Sequence, residues 1–529
     1  MPRFFNTAGP NRLEKNYTLP ALRRLPNIRA LVGGEQWFVL HAPRQSGKTT
    51  AMLALAKELT ASGQYTALWA TCEAGEPYRH DPAAAERIVC EDIFRNAALY
   101  LPEELRPPPR DREAAQGTIL TGFLQAWCAK SPRPVVLLLD EIDALQDEAL
   151  IGVLRQLRSM YPARPTGGPA SLALIGLRDV RDYKVAGGGS PHLGTASPFN
   201  ISVESLTLGC FDRADIAELY GQHTAETGQQ VSADALEAIF EYTQGQPWLV
   251  NALGYKLQMT MKVDGPIERS HVDRAKELLV LSRATHLDSL ADKLNEPRVR
   301  AVVEPMLTGG ELPIDLPQRD IEYCIDLGLI VADRQGTHIA NPIYREVLPR
   351  ELTVPCQTRI RLDDRRWALD DGRLDWRGLL DAFVDFWRQH GDWMVRGQSW
   401  PEFAHQIVLM AFLQRVVNGG GVIDREYGLG RKRLDLLVRW AVETDKYGAT
   451  VREDRHALEV KVWRDGQKDP LTEGLRQLDG YLGRLGLETG TLMVFDARST
   501  APTGEAWETR GEFSEAQTPA GRGVVVVRV

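Results

Sequence analysis

The chain has 529 residues, 43% hydrophobic and 25% charged, enough for roughly three to four domains with their own cores, and this composition argues against large-scale disorder. A formal net charge of −8 argues against a chain-wide basic coat, although a local basic groove inside an acidic protein suffices for phosphate contacts. Six cysteines without a C-x-x-C pair argue against a disulfide framework or a zinc ribbon and predict reduced thiols.

No run of about 18 apolar residues occurs, and Met1 to Asn6 lacks the apolar core of a signal peptide, so a cytoplasmic protein that does not meet a membrane is expected. Residues 1–30, rich in Pro, Asn and Arg, predict an irregular segment lying over the first strand. That strand is the apolar run Trp37-Phe38-Val39-Leu40. It runs into His41-Ala42-Pro43-Arg44-Gln45-Ser46-Gly47-Lys48-Thr49-Thr50, and the helical pattern Ala51 to Lys57 follows.

A strand, a tight loop closing on Gly-Lys-Thr and a helix turn backbone N–H groups toward a polyphosphate. Arg44, Gln45, Ser46, Gly47 and Thr50 would line the nucleotide, Lys48 would sit against the β- and γ-phosphates of ATP, and Thr49 would hold Mg²⁺. Ala42 stands where the first glycine of G-x-x-x-x-G-K-[ST] is usual, so the loop has less freedom to reach positive φ there.

Tyr65 to Ala70 predicts a second buried strand, and residues 82–129 carry helical periodicity broken at Pro107-Pro108-Pro109. Val135 to Leu139 is a strand apolar on both faces, ending in Asp140-Glu141 where a parallel sheet places ligands. Asp140 would bind Mg²⁺ and Glu141 would orient or deprotonate the attacking water. The spacing of about ninety residues after Lys48 strengthens both assignments.

A further strand, Ser171 to Leu177, ends in Arg178. The motif order resembles ASCE-type NTPases, whose extra strand carries a γ-phosphate sensor at this position, which assigns that role to Arg178. Phe199 to Leu208 would close the sheet as a fifth strand. Thr243-Gln244-Gly245-Gln246-Pro247 starts a helix with proline at its first position. The Gly-x-Pro here resembles the lid element of STAND and archaeal AAA+-like ATPases, which implies that Pro247 packs over the nucleotide. Residues 312–352 look like a winged helix with a hairpin at Gln335-Gly336, and the acids Asp320, Glu322, Asp326 and Asp333 favour packing over DNA reading.

Arg359, Arg361, Arg365, Arg366 and Arg373 among several Asp mark 353–375 as a linker. A helix is expected from Glu402 to Val417. Then Asp435 stands as a lone acid in an apolar strand, and Glu459 and Lys461, two apart on the next, project from one face while Leu458, Val460 and Val462 point to the other. Two carboxylates and an ammonium on one surface suit metal-assisted phosphodiester hydrolysis. Asp435 followed by Glu459-x-Lys461 resembles the PD-(D/E)xK nuclease signature, and Gln477-x-x-x-Tyr481 resembles the Q-x-x-x-Y helix motif of its RecB-like branch. The resemblance implies catalytic roles for Gln477 and Tyr481 and metal ligation by Asp435, Glu459 and the helix-borne Glu402; Leu434 replaces the usual proline. From the residues alone, a buried ion pair between strands accounts for the same pattern. Trp367, Trp376, Trp387, Trp393 and Trp400 read as packing residues before this core.

The expectation is therefore an α/β multidomain protein: a lead-in (1–30), an ASCE P-loop NTPase core (31–210), a helical lid (211–293), a winged helix (294–352), a linker and a PD-(D/E)xK domain (376–529). It implies ATP and Mg²⁺ as cofactors, and an ATPase whose nucleotide state controls a nuclease acting on nucleic acid, DNA before RNA, in defence against foreign DNA by family analogy. ATPases of this kind assemble into rings or dimers, which sets a homo-oligomer as a further expectation. A signalling or scaffold ATPase whose C-terminal domain binds DNA or a partner without cutting stays open, and a translocating motor ranks last.

Overall fold

The computed structural model describes residues 3–111, 113–177, 204–282, 290, 293–294, 296–307, 312, 315–334, 336–348, 367–396, 404–417, 421–426, 435–444, 450–501 and 511–529. The chain divides into one compact unit of Met1–Ser282 with Glu322–Asn341 and another of Arg283–Ile321 with Pro342–Val529.

In the first unit, five strands form a wholly parallel sheet: β1 (Trp37–His41), β2 (Thr66–Thr71), β3 (Val135–Asp140), β4 (Ser171–Gly176) and β5 (Glu204–Thr207). Their order is β2-β3-β4-β1-β5, so β4 separates the strand that feeds the Gly-Lys-Thr loop from the strand that ends in Asp140. Continuous apolar runs are what such strands need, since helices cover both faces. Trp37 and Val39 point to a core shared with helices α3 (Pro82–Tyr100), α4 (Ile119–Lys130) and α5 (Asp147–Met160). Phe38 and Leu40 point the other way, to α1 (Ile28–Gly33) and α2 (Lys48–Ala61). The two-residue period of the pleat thus divides one tetrapeptide between two cores.

The lead-in departs from expectation. Only its later part, Leu22, Leu25 and Ile28, packs over the sheet beside Phe38 and Leu40. Phe5 and Tyr17 instead lie on α6 (Arg213–Thr227), with Phe5 4.6 Å from the Tyr220 ring and the Tyr17 hydroxyl 3.1 Å from His223 Nδ1. The strand face is already covered by α1 and α2, and the helical segment offers aromatic partners that bury both rings.

That segment continues with α7 (Ala233–Thr243), α8 (Pro247–Tyr255) and α9 (Arg269–Leu281). Asp212 and Asp215 form a capping box at the start of α6, Ser232 caps α7, and the Gln246 side chain accepts from Leu249 N at 2.6 Å to cap α8, with Pro247 at the first position. The turn before α8 needs a glycine. Gly245 has φ +73°, its carbonyl accepts from Phe211 N at 2.8 Å, and a Cβ there would stand 1.8 Å from the Phe211 carbonyl oxygen.

Beyond α10 (Pro297–Leu307), helix α11 (Gln318–Asp326) leads into an antiparallel hairpin of β6 (Ile330–Asp333) and β7 (Gly336–Ile339). A helix and a two-stranded hairpin stand where a winged helix is expected; Gln335 at the hairpin tip lies outside the described residues.

The second unit carries a six-stranded mixed sheet in the order β12-β13-β11-β10-β9-β8. β8 (Gly421–Glu426), β9 (Asp435–Thr444) and β10 (Thr450–Trp463) are antiparallel, β10 runs parallel to β11 (Thr489–Asp496) and β11 to β13 (Gly523–Arg528), and β12 (Glu512–Gln517) closes the edge against β13. Helices α12 (Trp376–Arg396) and α13 (Ala404–Val417) pack on one face and α14 (Leu471–Leu485) on the other. Trp387 is fully buried against Phe383 and Phe495, and Trp367 and Trp376 pack at the edge of the same core, which agrees with a packing role; the Trp393 side chain and Trp400 lie outside the described residues.

Gly245→Ala will destabilise the first unit by about 3 kcal/mol, through a left-handed backbone and the clash with Phe211, whereas Gly228→Ala, at φ +77° with open space around it, will cost about 1 kcal/mol. Denaturant midpoints of the two variants check this; equal losses would contradict the Phe211 contact.

Candidate functional site

The loop between β1 and α2 closes around its own lysine. Gln45 at φ 58° and Gly47 at φ 95° bend the backbone so that α2 begins at Lys48. Lys48 is buried, and its Nζ donates to the carbonyls of Ala42 at 2.8 Å and Pro43 at 3.1 Å. Burial lowers its affinity for a proton, while Glu141, Asp140 and Asp143 oppose that shift. Arg44 and Gln45 are exposed at the loop tip, and Ser46 is buried with no hydrogen-bond partner for its Oγ among the described residues. Thr50 Oγ1 accepts from Asn11 N at 3.3 Å, so this residue ties the lead-in to the loop.

β3 delivers the acids. Thr49 Oγ1 donates to Asp140 Oδ2 at 2.7 Å, joining the first turn of α2 to a strand two places away in the sheet. The same oxygen accepts from Trp69 Nε1 at 3.1 Å, and Oδ1 accepts from Glu141 N at 3.0 Å. Asp140 is 1% exposed, so these donors supply the hydrogen bonds that a buried carboxylate requires. Glu141 has φ 52°, which turns the chain out of the strand at its carboxyl end. Burial, then the neighbouring Asp143 and Asp140, push the Glu141 carboxyl above the usual carboxylate range. Asp143 is raised by burial too, and it lies against Gly176 at the end of β4.

The loop, Lys48, Thr49, Asp140 and Glu141 of the sequence expectation therefore come together. A hydroxyl and a carboxylate oxygen 2.7 Å apart are hard donors of the kind Mg²⁺ takes, and an ammonium at the N-terminus of a helix suits a polyphosphate. Pro247 is buried at the first position of α8, and Arg178 lies outside the described residues. Sequence reasoning passed over Trp69 and Asp143. Asp143 was within reach, as the third acid of the Asp-Glu-Ile-Asp run; Trp69 was not, because its partner follows only from the pairing of β2 with β3.

In the second unit, β9 and β10 pair so that Asp435 is the register partner of Glu459. Glu459 is 1% exposed, and Lys461 Nζ is in ion-pair contact with Glu459 Oε1. Leu458 and Val460 enter the core under α12 and α13, and Val462 packs beside them, as expected of the alternate face. Gln477 and Tyr481 lie on α14: Gln477 Nε2 donates to Glu473 Oε1 at 2.8 Å, and Tyr481 is buried with Ala457, which shares the strand face of Glu459. The Asp435 side chain and Glu402 lie outside the described residues. Among the described residues, no group of three or more His, Cys, Asp or Glu gathers as a metal site. The helix before β8 is described from Ala404 to Val417.

No family model and no curated protein sequence matches this chain. Among solved structures, it is similar to a Walker-type ATPase of Pyrococcus abyssi, with 13% identity and a TM-score of 0.47 over 65% of this chain and 99% of that one. It is similar to the RuvB Holliday junction branch migration motor of Thermotoga maritima, with 15% identity and a TM-score of 0.34 over 61% of this chain and 92% of that one. It is also similar to Cdc6p of Pyrobaculum aerophilum, with 14% identity and a TM-score of 0.36 over 65% of this chain and 96% of that one. No helix among the described residues is long and apolar enough to cross a membrane.

Because folding raises the affinity of Glu141 for a proton, its contribution to stability is complete below about pH 4 and is lost as pH rises through the folded-state value. Glu141→Gln cannot ionise, so at pH 7.5 the nucleotide-free variant will melt at a higher temperature than the parent, and the gap will close towards pH 4. Calorimetry across that range checks it; a gap independent of pH would place the effect outside the carboxylate.

Proposed function

We propose that the first unit binds ATP with Mg²⁺ and hydrolyses it. The observation that carries this reading is the 2.7 Å contact of the Thr49 hydroxyl with Asp140, across a sheet in which β4 stands between their strands. Lys48 is held by two loop carbonyls, neutral acceptors that an anionic phosphate oxygen outcompetes through the attraction of opposite charges. Thr49 and Asp140 would hold Mg²⁺, which when bound offsets charge on the phosphate oxygens. Glu141, with its raised proton affinity, is suited to orient a water molecule and take its proton. Arg178 as sensor and Pro247 as lid contact belong to the same reading.

For the second unit we propose a metal-dependent nuclease centred on Asp435, Glu459 and Lys461, with Glu402, Gln477 and Tyr481 as supporting groups and nucleic acid, DNA before RNA, as substrate. The register pairing of Asp435 with Glu459, and the lysine on the same strand face, favour it. The competing account is a buried ion pair in a domain that binds DNA or a partner without cutting, and the contact of Lys461 with Glu459 is compatible with both. The helix and hairpin of 318–339 would act as a winged helix that packs. In the full proposal nucleotide occupancy governs cleavage, the active form is a ring or dimer, and the biological role is defence against foreign DNA.

Lys48→Ala will weaken Mg²⁺-ATP binding by tenfold or more, while Glu141→Gln will keep binding and lower turnover by about 100-fold. Calorimetric titration and phosphate release measure the two; unchanged ATP affinity in Lys48→Ala would remove the nucleotide assignment.

Lys461→Ala will abolish Mg²⁺-dependent cleavage of labelled linear or circular DNA or RNA and leave ATP turnover near the parent value. Equal cleavage by parent and variant eliminates the nuclease, and cleavage indifferent to Lys48→Ala in every nucleotide state eliminates the control.

A further inference from the structure

Two adjacent arginines of the lead-in have opposite surroundings. Arg23 is exposed and fully engaged by carboxylates: its Nη1 and Nη2 meet Glu218 at 2.6 and 3.1 Å, and Nη1 lies 3.4 Å from Asp215. Arg24 turns inward. Its Nη1 donates to the Gly209 carbonyl at 2.7 Å, its Nη2 donates to the Ser46 carbonyl at 3.0 Å, and its guanidinium stands 4.8 Å from the centre of the Phe211 ring. All three partners are uncharged. Among the described residues, no carboxylate comes within ion-pairing range of Arg24. Cys210, then Asp215, oppose the effect of burial on Arg24; burial raises the Cys210 thiol, and Asp215 already accepts from Arg23 and at the cap of α6.

A guanidinium stays charged at any pH a folded protein meets, and a half-buried charge without a counter-charge is costly. Burial does lower the proton affinity of Arg24. Its Nη2 lies 3.0 Å from where a Cβ on Gly47 would stand, beside the helix start that suits a polyphosphate. The Oγ of Ser46, whose carbonyl Arg24 holds, is buried without a hydrogen-bond partner among the described residues. An unbalanced cation and an unused hydroxyl thus flank one turn of the loop.

We propose that Arg24 is a second cation of the nucleotide site, lent by the lead-in: it positions the loop through the Ser46 carbonyl, and its charge is balanced by the bound phosphates. The inference rests on the nucleotide reading given above. An arginine suits both parts of this role: the fork spans two carbonyls at once, and the charge remains for the ligand. Through Gly209 the same side chain reaches the segment that joins β5 to α6, two residues from the Phe211 that Gly245 fits against.

The test uses Arg24→Gln, which retains two N–H donors without charge, and Arg24→Lys, which retains charge without the fork. Arg23→Ala serves as the neighbouring control. Each full-length protein is titrated with fluorescent ATP and ADP analogues in Mg²⁺ at low and high salt. Arg24→Gln is expected to bind both about tenfold more weakly and with a shallower salt dependence, Arg24→Lys to recover most of the loss, and Arg23→Ala to match the parent. Parent affinity in Arg24→Gln overturns the inference. So does an equal loss in both variants with the parent's salt dependence, which marks a neutral structural tie. If the parent itself binds no better than Lys48→Ala, the nucleotide reading fails and takes the inference with it.

Discussion

The first unit depends on a hydrogen bond between two places far apart in the chain. Thr49 and Asp140 belong to α2 and β3, and the sheet order puts β4 between β1 and β3. The bond depends on the register of β1, β4 and β3, since a slip of β3 by one residue would turn Asp140 to the opposite face. Sheet topology and site geometry are therefore one constraint. The apolar strands Val136 to Leu139 and Leu172 to Ile175, wholly buried, supply the free energy that holds it. What they hold is a carboxylate that is 1% exposed, satisfied by a hydroxyl, an indole and a backbone amide.

The site also concentrates unfavourable electrostatics. Burial lowers the proton affinity of Lys48 and raises that of Glu141 and Asp143, so in all three it works against the charged form. Glu141 adds a left-handed backbone, outside any glycine, at the mouth of the sheet. Such features cost stability, and folds retain them where a ligand or a reaction uses them. Several helices of the unit are capped by side chains, Asp81, Asp212 and Ser232 among them.

Legibility in the sequence followed the range of the interaction. The strands around the site announced themselves because burial on both faces needs unbroken apolar runs, and Val135 to Leu139 has no other soluble reading. The loop was legible for the same local reason: Gly-Lys-Thr between a strand and a helix is a continuous motif. Interactions that depend on tertiary pairing were silent. Trp69 looked like one more apolar strand residue until β2 lay beside β3, and Phe5 and Tyr17 looked like part of a lead-in over the first strand until α6 offered Tyr220 and His223. Arg24 was indistinguishable from Arg23 in sequence, although one meets carboxylates and the other two carbonyls and an aromatic ring.

The second unit inverts that relation. Its acids were conspicuous in sequence because Asp435 and Glu459 interrupt apolar strands, and the register of β9 with β10 sets them opposite each other. Yet the burial of Glu459 allows two accounts. A lysine against a buried glutamate lowers the cost of the charge whether or not a cation joins them. The two accounts differ in whether a second acid joins the pair: Asp435 is the register partner of Glu459, and two carboxylates sharing one ammonium would leave negative charge for a cation to balance. A purely structural ion pair needs only Glu459 and Lys461, so the acid at position 435 bears on the choice beside the lysine.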